Sequence, residues 1–228
     1  MSNNNPKFNL KLFNQKAKRS PKIDAGISLM NGHKNLSLEV HNADAEVVFL
    51  ETCLDCQRDP ILYFSNFIPD EMFIMGNRIE ADIKAVCRKP QLILKRTTPV
   101  DFHRSNSARI MSVLHKYLPD NVLDEYHDGI READMDNDPN QLTRRSAFRV
   151  FLVYAVSEPG TSKEKNWLAV IFFDPYHLIF PVKQLKQSTD EYLLAKYREV
   201  APYQQTFRKY FEEEFKQVSF IRAMDLLA

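Results

Sequence analysis

Glycine is scarce in this sequence, and the glycines that occur are far apart. The 228 residues include only five, and no two of them lie within five positions of each other: Gly26, Gly32, Gly76, Gly129 and Gly160. Loops that hold nucleotide phosphates need several glycines close together, because only a backbone without Cβ atoms can approach the phosphate closely. The sequence therefore excludes the G-x-G-x-x-G and Walker A loops, and we expect no nucleotide cofactor.

Cysteine is also rare, with three in the whole chain. Three cysteines cannot all pair within one chain, which is more typical of a reducing compartment than of a disulfide scaffold. Cys53 and Cys56 have the C-x-x-C spacing of zinc ligands and redox pairs. A structural zinc needs two more ligands, and the candidates are Cys87, His33, His41 and His103. A second C-x-x-C is missing, so we interpret the cysteines as incidental and keep a zinc site as the alternative.

Long apolar runs are missing too. No run approaches the roughly 18 residues that span a bilayer, and the chain begins with polar residues rather than an apolar secretory segment. We therefore expect a cytoplasmic protein that does not contact membranes. Apolar residues make up 44% of the chain and aromatic residues 11%, which is enough to build a packed core.

Charge is present but unevenly distributed. Residues 1–35 carry seven basic residues and one acidic residue, a net charge of +6, whereas residues 36–228 carry 24 basic and 29 acidic residues, a net charge of −5. A basic arm of this kind is attracted to a polyanion or to an acidic surface. Its candidate binding residues are Lys16, Lys18, Arg19 and Lys22. Nucleic acid, a protein partner and the acidic body of the same chain are all candidate targets, and a solvated tail is the simplest alternative.

Residues 36–228 have the patterns of an α+β body. Apolar runs predict strands at 47–50 and 91–96, and a hairpin formed by 148–156 and 167–173 with a third strand at 176–180. Helical spacing of apolar residues predicts helices near 79–87, 107–118 and 120–130. This order of elements predicts a mostly antiparallel sheet covered by helices rather than a doubly wound parallel sheet.

The C-terminal region predicts a long amphipathic helix. Its apolar residues recur at helical spacing: Phe207, Phe211, Phe215, Val218 and Ile221. A face this rich in phenylalanine must be buried, either in the core or against a protein partner or a second copy of the chain. The polar residues 134–146 predict a linker, so the body is either one unit or two lobes that divide there.

Two pairs of residues have the chemistry of a hydrolase or nuclease. Asp174 and His177 follow the strongest predicted strand, where the carboxylate would orient the imidazole as a general base. The competing interpretation is a proline turn that Asp174 caps. Arg109 and His115 lie on a predicted helix, with a spacing that resembles the R-x(4–6)-H pattern of HEPN ribonucleases, in which the pair promotes RNA cleavage. On a regular helix, however, these two side chains lie about 240° apart.

Because no cofactor motif is present and the arm is charged oppositely to the body, we expect an interaction or regulatory protein that acts through macromolecular binding. The alternatives are the hydrolase or nuclease and the small zinc protein.

Overall fold

The structure, a computed structural model, describes residues 45–70, 78–102, 107–134, 148–157, 162, 164–181 and 188–227. The predicted basic arm with Lys16, Lys18, Arg19 and Lys22 lies outside the described residues, as does most of the predicted linker 134–146. Within the described part of the chain, no helix is long and apolar enough to cross a membrane.

The described residues form eight strands and six α-helices. The strands are β1 (Ala45–Leu50), β2 (Arg58–Asp59), β3 (Phe64–Ser65), β4 (Thr97–Pro99), β5 (Ile130–Asp134), β6 (Arg149–Ser157), β7 (Lys165–Asp174) and β8 (Phe220–Ile221). The helices are α1 (Arg78–Arg88), α2 (Ser107–Leu114), α3 (Asp120–Tyr126), α4 (Thr189–Val200), α5 (Phe207–Tyr210) and α6 (Glu212–Phe215). Short 3-10 turns join several of them.

A six-stranded sheet with the order β4-β5-β6-β7-β1-β8 is the centre of the fold. The pairs from β4 to β7 are antiparallel, whereas β1 is parallel to both β7 and β8. The prediction of helices together with a sheet is confirmed, but the prediction of a mostly antiparallel sheet is wrong because the sheet is mixed. Parallel strands are joined by long crossovers, so the pairing of β1 with β7 leaves no local signal in the sequence.

The predicted hairpin of β6 and β7 is confirmed, and it supplies much of the core. Val153 pairs with Ala169, and the register shifts by one residue at a bulge between Phe151 and Leu152. The ring of Phe172 stacks on Phe151 at 4.6 Å on one side and on Tyr117 at 4.8 Å on the other. These aromatic contacts attach the segment that follows α2 to the sheet.

Residues 91–96 form two 3-10 turns rather than the predicted strand, and β4 begins only at Thr97. Pro90 opens the first turn, where its fixed φ suits a helical conformation and its missing N–H costs nothing. The amide of Ile93 then donates to the carbonyl of Pro90 at 2.9 Å. The apolar side chain of Ile93 is still fully buried. The apolar pattern of residues 91–96 therefore predicted burial at this position correctly, but it predicted the wrong backbone conformation.

The predicted long C-terminal helix is also wrong, because the region contains three short helices. α4 ends at Val200, and Pro202, which lacks the N–H that would continue the helix, follows two residues later. Phe211 separates α5 from α6 with a non-helical backbone (φ −114°, ψ 29°). Nevertheless Phe207, Phe211 and Phe215 are all buried, whereas Val218 and Ile221, the other two members of the predicted stripe, are half-buried.

We predict that Phe211→Ala lowers the free energy of unfolding by about 3–5 kcal/mol, since it removes a fully buried ring and leaves a cavity. Phe220 provides the matched control because its side chain is 37% exposed, and Phe220→Ala should cost less than about 2 kcal/mol. Urea denaturation of both variants measures the difference. Equal decreases in the free energy of unfolding would contradict the conclusion that Phe211 stabilises the core more than Phe220 does.

Candidate functional site

The carboxylate of Asp174, the last residue of β7, organises the turn that follows the strand. One oxygen accepts hydrogen bonds from the amides of Tyr176 (3.3 Å) and Leu178 (3.0 Å), and the other accepts from the amide of Ile179 (2.8 Å). Asp174 is fully buried. The predicted third strand at 176–180 is therefore wrong, because these amides bind a side chain rather than a neighbouring strand.

Asp174 belongs to a row of charged residues at one end of the sheet. Arg149 on β6 pairs directly with Asp174 on one side and with Asp134 on β5 on the other. The guanidinium Nη1 of Arg149 lies 3.1 Å from a carboxylate oxygen of Asp134 and donates to the carbonyl of Phe148 at 3.0 Å. Acidic and basic residues alternate along this row, so the nearly buried Arg149 has an acidic residue on each side.

Arg109 on α2 ties the Asp174 turn to the rest of the molecule. Its Nε donates to the carbonyl of Leu178 at 3.1 Å, and its Nη2 donates to the carbonyl of Tyr63 at 3.2 Å. Burial lowers the pKa of Arg109, and the nearby carboxylate of Asp174 opposes that shift. The apolar side of α2 faces the core through Ile110, Val113 and Leu114, so packing of the helix places the guanidinium between the two loops.

His177 lies within the Asp174 turn with a left-handed backbone (φ 56°), a conformation that is rare for residues other than glycine. Its side chain is half-buried. Burial lowers the pKa of His177 below 6.5, the carboxylates of Asp174 and Asp134 oppose the shift, and Arg149 adds to it. The imidazole is therefore neutral at pH 7 and has the capacity to accept a proton.

His115, the fourth candidate catalytic residue, lies elsewhere. Its Nδ1 is 3.0 Å from a carboxylate oxygen of Asp120, and both side chains are exposed to solvent. Arg109 instead contacts Leu178 and Tyr63. The structure thus brings Arg109, Asp174 and His177 together around one turn, and His115 is not part of that group.

Two of the three cysteines lie in the protein interior, and the third is partly buried. Cys53 and Cys87 are buried, and the partly buried Cys56 donates through its thiol to the carbonyl of Asn66 at 3.5 Å. Burial raises the pKa of Cys53, and raises those of Cys56 and Cys87 to about 12, so all three are protonated at neutral pH. Thiolates, not thiols, act as metal ligands and nucleophiles.

Metal ligands do not cluster in the part of the chain that the structure describes. In that part no group of three or more histidines, cysteines, aspartates and glutamates is arranged to hold a metal ion. The histidines named with the cysteines as candidate zinc ligands, His33, His41 and His103, lie outside the described residues.

Sequence reasoning missed Asn66, a fully buried residue that connects three parts of the fold. Its amide nitrogen donates to the hydroxyl of Tyr117 (3.0 Å) and to the carbonyl of Phe173 (3.1 Å), while its side-chain oxygen accepts from the amide of Gln57 (2.7 Å). A single asparagine among apolar residues gives no pattern that distinguishes it from a loop residue. Asp134 was missed because it lies in the predicted linker, and Arg149 was missed because only the register of β5 and β6 places it opposite Asp134.

Comparisons with known proteins give no relative: no family model, no curated protein and no solved structure matches this chain. What the Asp174 turn does chemically therefore has to be argued from its own geometry. The carboxylate of Asp174 accepts hydrogen bonds from three backbone amides, and the guanidinium of Arg109 donates to two backbone carbonyls. These two groups therefore stabilise the fold. The neutral imidazole of His177 is the group at this turn that remains suited to proton transfer.

We predict that the stability of the protein falls as the pH drops from about 7.5 to 5.5. Below pH 6.5 the unfolded chain binds a proton at residue 177 that the folded chain, with its lowered pKa, does not bind. His177→Asn should flatten this dependence, since asparagine tolerates the left-handed backbone and does not titrate. Urea denaturation at the two pH values measures the effect, with His115→Asn as the control. Identical pH dependence in the wild type and His177→Asn would contradict the assignment.

Proposed function

We propose that this chain is an interaction protein that acts by binding another macromolecule. The observation that carries the proposal is that three large apolar side chains within residues 220–227 are exposed, and we call them the C-terminal surface: Phe220 (37% exposed), Met224 (49%) and Leu227 (37%). Apolar side chains grouped on a surface mark binding sites more often than single ones do.

The backbone that displays the C-terminal surface is firmly held. Leu226 is buried, and its carbonyl accepts a hydrogen bond from the hydroxyl of Tyr126 at 2.8 Å. Arg222 and Asp225 form an ion pair at 2.7 Å, and the amide of Arg222 donates to the same carboxylate at 3.0 Å. A surface fixed in this way loses little conformational entropy on binding, which supports a role in recognition.

The sheet edge supports a partner that contributes an extended apolar segment. β8 is the last strand of the described sheet and has only two residues. Phe220 on this strand packs against Phe49 with ring centroids 6.0 Å apart, while part of its side chain remains exposed. An extended peptide recognises such an edge through backbone hydrogen bonds and through apolar side chains beside it. The basic residues of the arm, Lys16, Lys18, Arg19 and Lys22, would add contacts to an anionic partner.

The experiment is capture of binding partners from a lysate by the full-length protein, with quantification of each captured species. Met224→Asp and Leu227→Asp should lose one species by about tenfold or more, because a charge would be buried at the contact. Ile61→Asp is the matched control, since Ile61 is 87% exposed in a different turn whose backbone is fixed by Asp59.

The proposal is wrong if all three variants, and a protein that lacks residues 1–30, capture the same species in the same amounts as the wild type. Deletion of residues 1–30 separates the two contributions. Loss of the species in the deletion variant alone would assign recognition to the basic arm, whereas loss in the Met224 and Leu227 variants alone would assign it to the C-terminal surface. Circular dichroism melting of each variant verifies that the fold is retained.

A hydrolase is the second candidate function, and the backbone of His177 favours it. Left-handed conformations at residues other than glycine concentrate at functional sites, because the surrounding structure must compensate for their strain. Here the strained residue carries an imidazole that is neutral at pH 7, as a general base requires.

A screen against RNA, DNA and simple esters tests this second function. Activity that falls by about a hundredfold or more in His177→Asn, and is retained in His115→Asn, would support His177 as the base. Activity lost in His115→Asn alone would instead support the pair of Arg109 and His115. Full activity in both variants, or none in the wild type, would eliminate both assignments.

A further inference from the structure

We propose that Arg131 anchors a binding site for a small oxyanion, a phosphate or carboxylate group, at the β4 edge of the sheet. This site is separate from the C-terminal surface and does not depend on the function proposed for it.

The first observation is where Arg131 lies. It occupies β5, where it pairs with Pro99 on β4 and with Leu152 on β6, and only 2% of the residue is exposed. Its Nε donates to the hydroxyl of Thr97 at 3.2 Å. Its Nη1 is completely buried and has no hydrogen-bond partner among the described residues. A guanidinium has five N–H donors, so the pair on Nη1 remains available to a ligand.

The second observation is the missing countercharge. No carboxylate of the described residues forms an ion pair with Arg131. The ionisable group that acts on it is Tyr154, whose own pKa is raised by burial, so that its phenol is neutral. Burial lowers the pKa of Arg131, but an arginine does not lose its proton in a protein. A buried positive charge of this kind is costly unless an anion accompanies it.

Arg149 shows what this chain does when it buries an arginine without a ligand. It lies on the neighbouring strand and is 8% exposed, close to the exposure of Arg131. Its Nη1, unlike that of Arg131, lies 3.1 Å from a carboxylate oxygen of Asp134. The contrast between two arginines in adjacent strands indicates that the negative charge for Arg131 comes from outside the described part of the fold.

The surroundings of Arg131 are suitable for an oxyanion. Thr97 pairs with Ala133, which is two residues from Arg131 on β5, and Tyr154 is two residues from Leu152, which pairs with Arg131. Because every second residue of a strand lies on the same face, the side chains of Thr97 and Tyr154 lie on the same face of the sheet as Arg131. The hydroxyl of Tyr154 donates to the side-chain oxygen of Asn166 at 2.9 Å, which fixes its position. The guanidinium fork matches the paired oxygens of a carboxylate or phosphate.

The proposed route to the site is through the nearby edge of the sheet. β4 is the end strand of the described sheet and has three residues, of which Thr98 and Pro99 are exposed. Pro99 lies directly opposite Arg131. Only one short strand therefore lies between β5 and the edge of the described sheet, and a small anion has less structure to displace there than at the centre of the sheet.

The experiment compares thermal unfolding of the full-length protein in phosphate, acetate and chloride at equal ionic strength. We expect phosphate, acetate or both to raise the Tm of the wild type by about 3–5 °C relative to chloride at ten times the dissociation constant. Arg131→Met should abolish this difference and should unfold at a higher temperature than the wild type in chloride. The phosphorus NMR signal of inorganic phosphate should broaden with the wild type and remain narrow with Arg131→Met.

Arg149→Met is the matched control. It should lower the Tm, since it leaves Asp134 unpaired, while it keeps the difference between oxyanion and chloride. A response to phosphate alone would assign the ligand as a phosphate group, and a response to acetate alone would assign it as a carboxylate. Arg131→Lys, which keeps the charge but loses the fork, should weaken binding about tenfold or more and provides a second variant if Arg131→Met does not fold.

The basic arm also attracts phosphate, so the result that decides the proposal is the difference between variants. An oxyanion effect of equal size in the wild type, Arg131→Met and Arg131→Lys would overturn it. So would a wild type that responds identically to phosphate, acetate and chloride and leaves the phosphate signal narrow.

Discussion

The three hydrogen bonds that the Asp174 carboxylate accepts are the interaction on which the architecture around β7 depends. Ionised carboxylates are strong acceptors, and one that binds several backbone amides fixes the conformation of the whole turn. Here the turn holds Leu178 in position for Arg109, which in turn contacts Tyr63 beside the small β2–β3 sheet. The carboxyl group of one buried residue thus links a helix, a loop and the end of the central hairpin.

Other buried polar side chains also connect separate segments of the fold through hydrogen bonds. They add contacts that regular secondary structure does not provide. Asn66 uses both ends of its amide to join β3, the segment after α2 and β7. Such groups are costly to bury unless each donor and acceptor is satisfied. The two arginines on adjacent strands differ in this respect, because Arg149 has a carboxylate beside it and Arg131 has an unpaired nitrogen.

Much of the local structure was predictable from the sequence, because local patterns report burial well. The apolar runs of β6 and β7 predicted their hairpin, and the stripe of Ile79, Ile83 and Val86 predicted α1. Predictions failed where a backbone choice depended on distant contacts or on one residue. Examples are the parallel position of β1, the 3-10 turns after Pro90 and the break at Phe211. Periodicity showed which side chains are buried without showing where the backbone leaves the helix.

The candidate site was predictable only where its residues are close together in the sequence. Asp174 and His177 are close in sequence, so their association was visible, and the competing interpretation of Asp174 as a turn cap describes its hydrogen bonds. Arg109 joined them through tertiary packing of α2, a contact that no spacing rule predicts. Arg149 and Asp134 are opposed only because of the register of β5 and β6, which the sequence does not determine by itself.

The position of β1 has a consequence for how the molecule is made. β1 lies between β7 and β8, so both of its neighbours are synthesised long after it. Contacts between such distant segments slow folding because a long loop must close before they form. During translation this strand emerges before either partner strand, so both of its edges stay unpaired for a time and are exposed to aggregation. Both sides of β1 are therefore paired only after Phe220 and Ile221 have been synthesised.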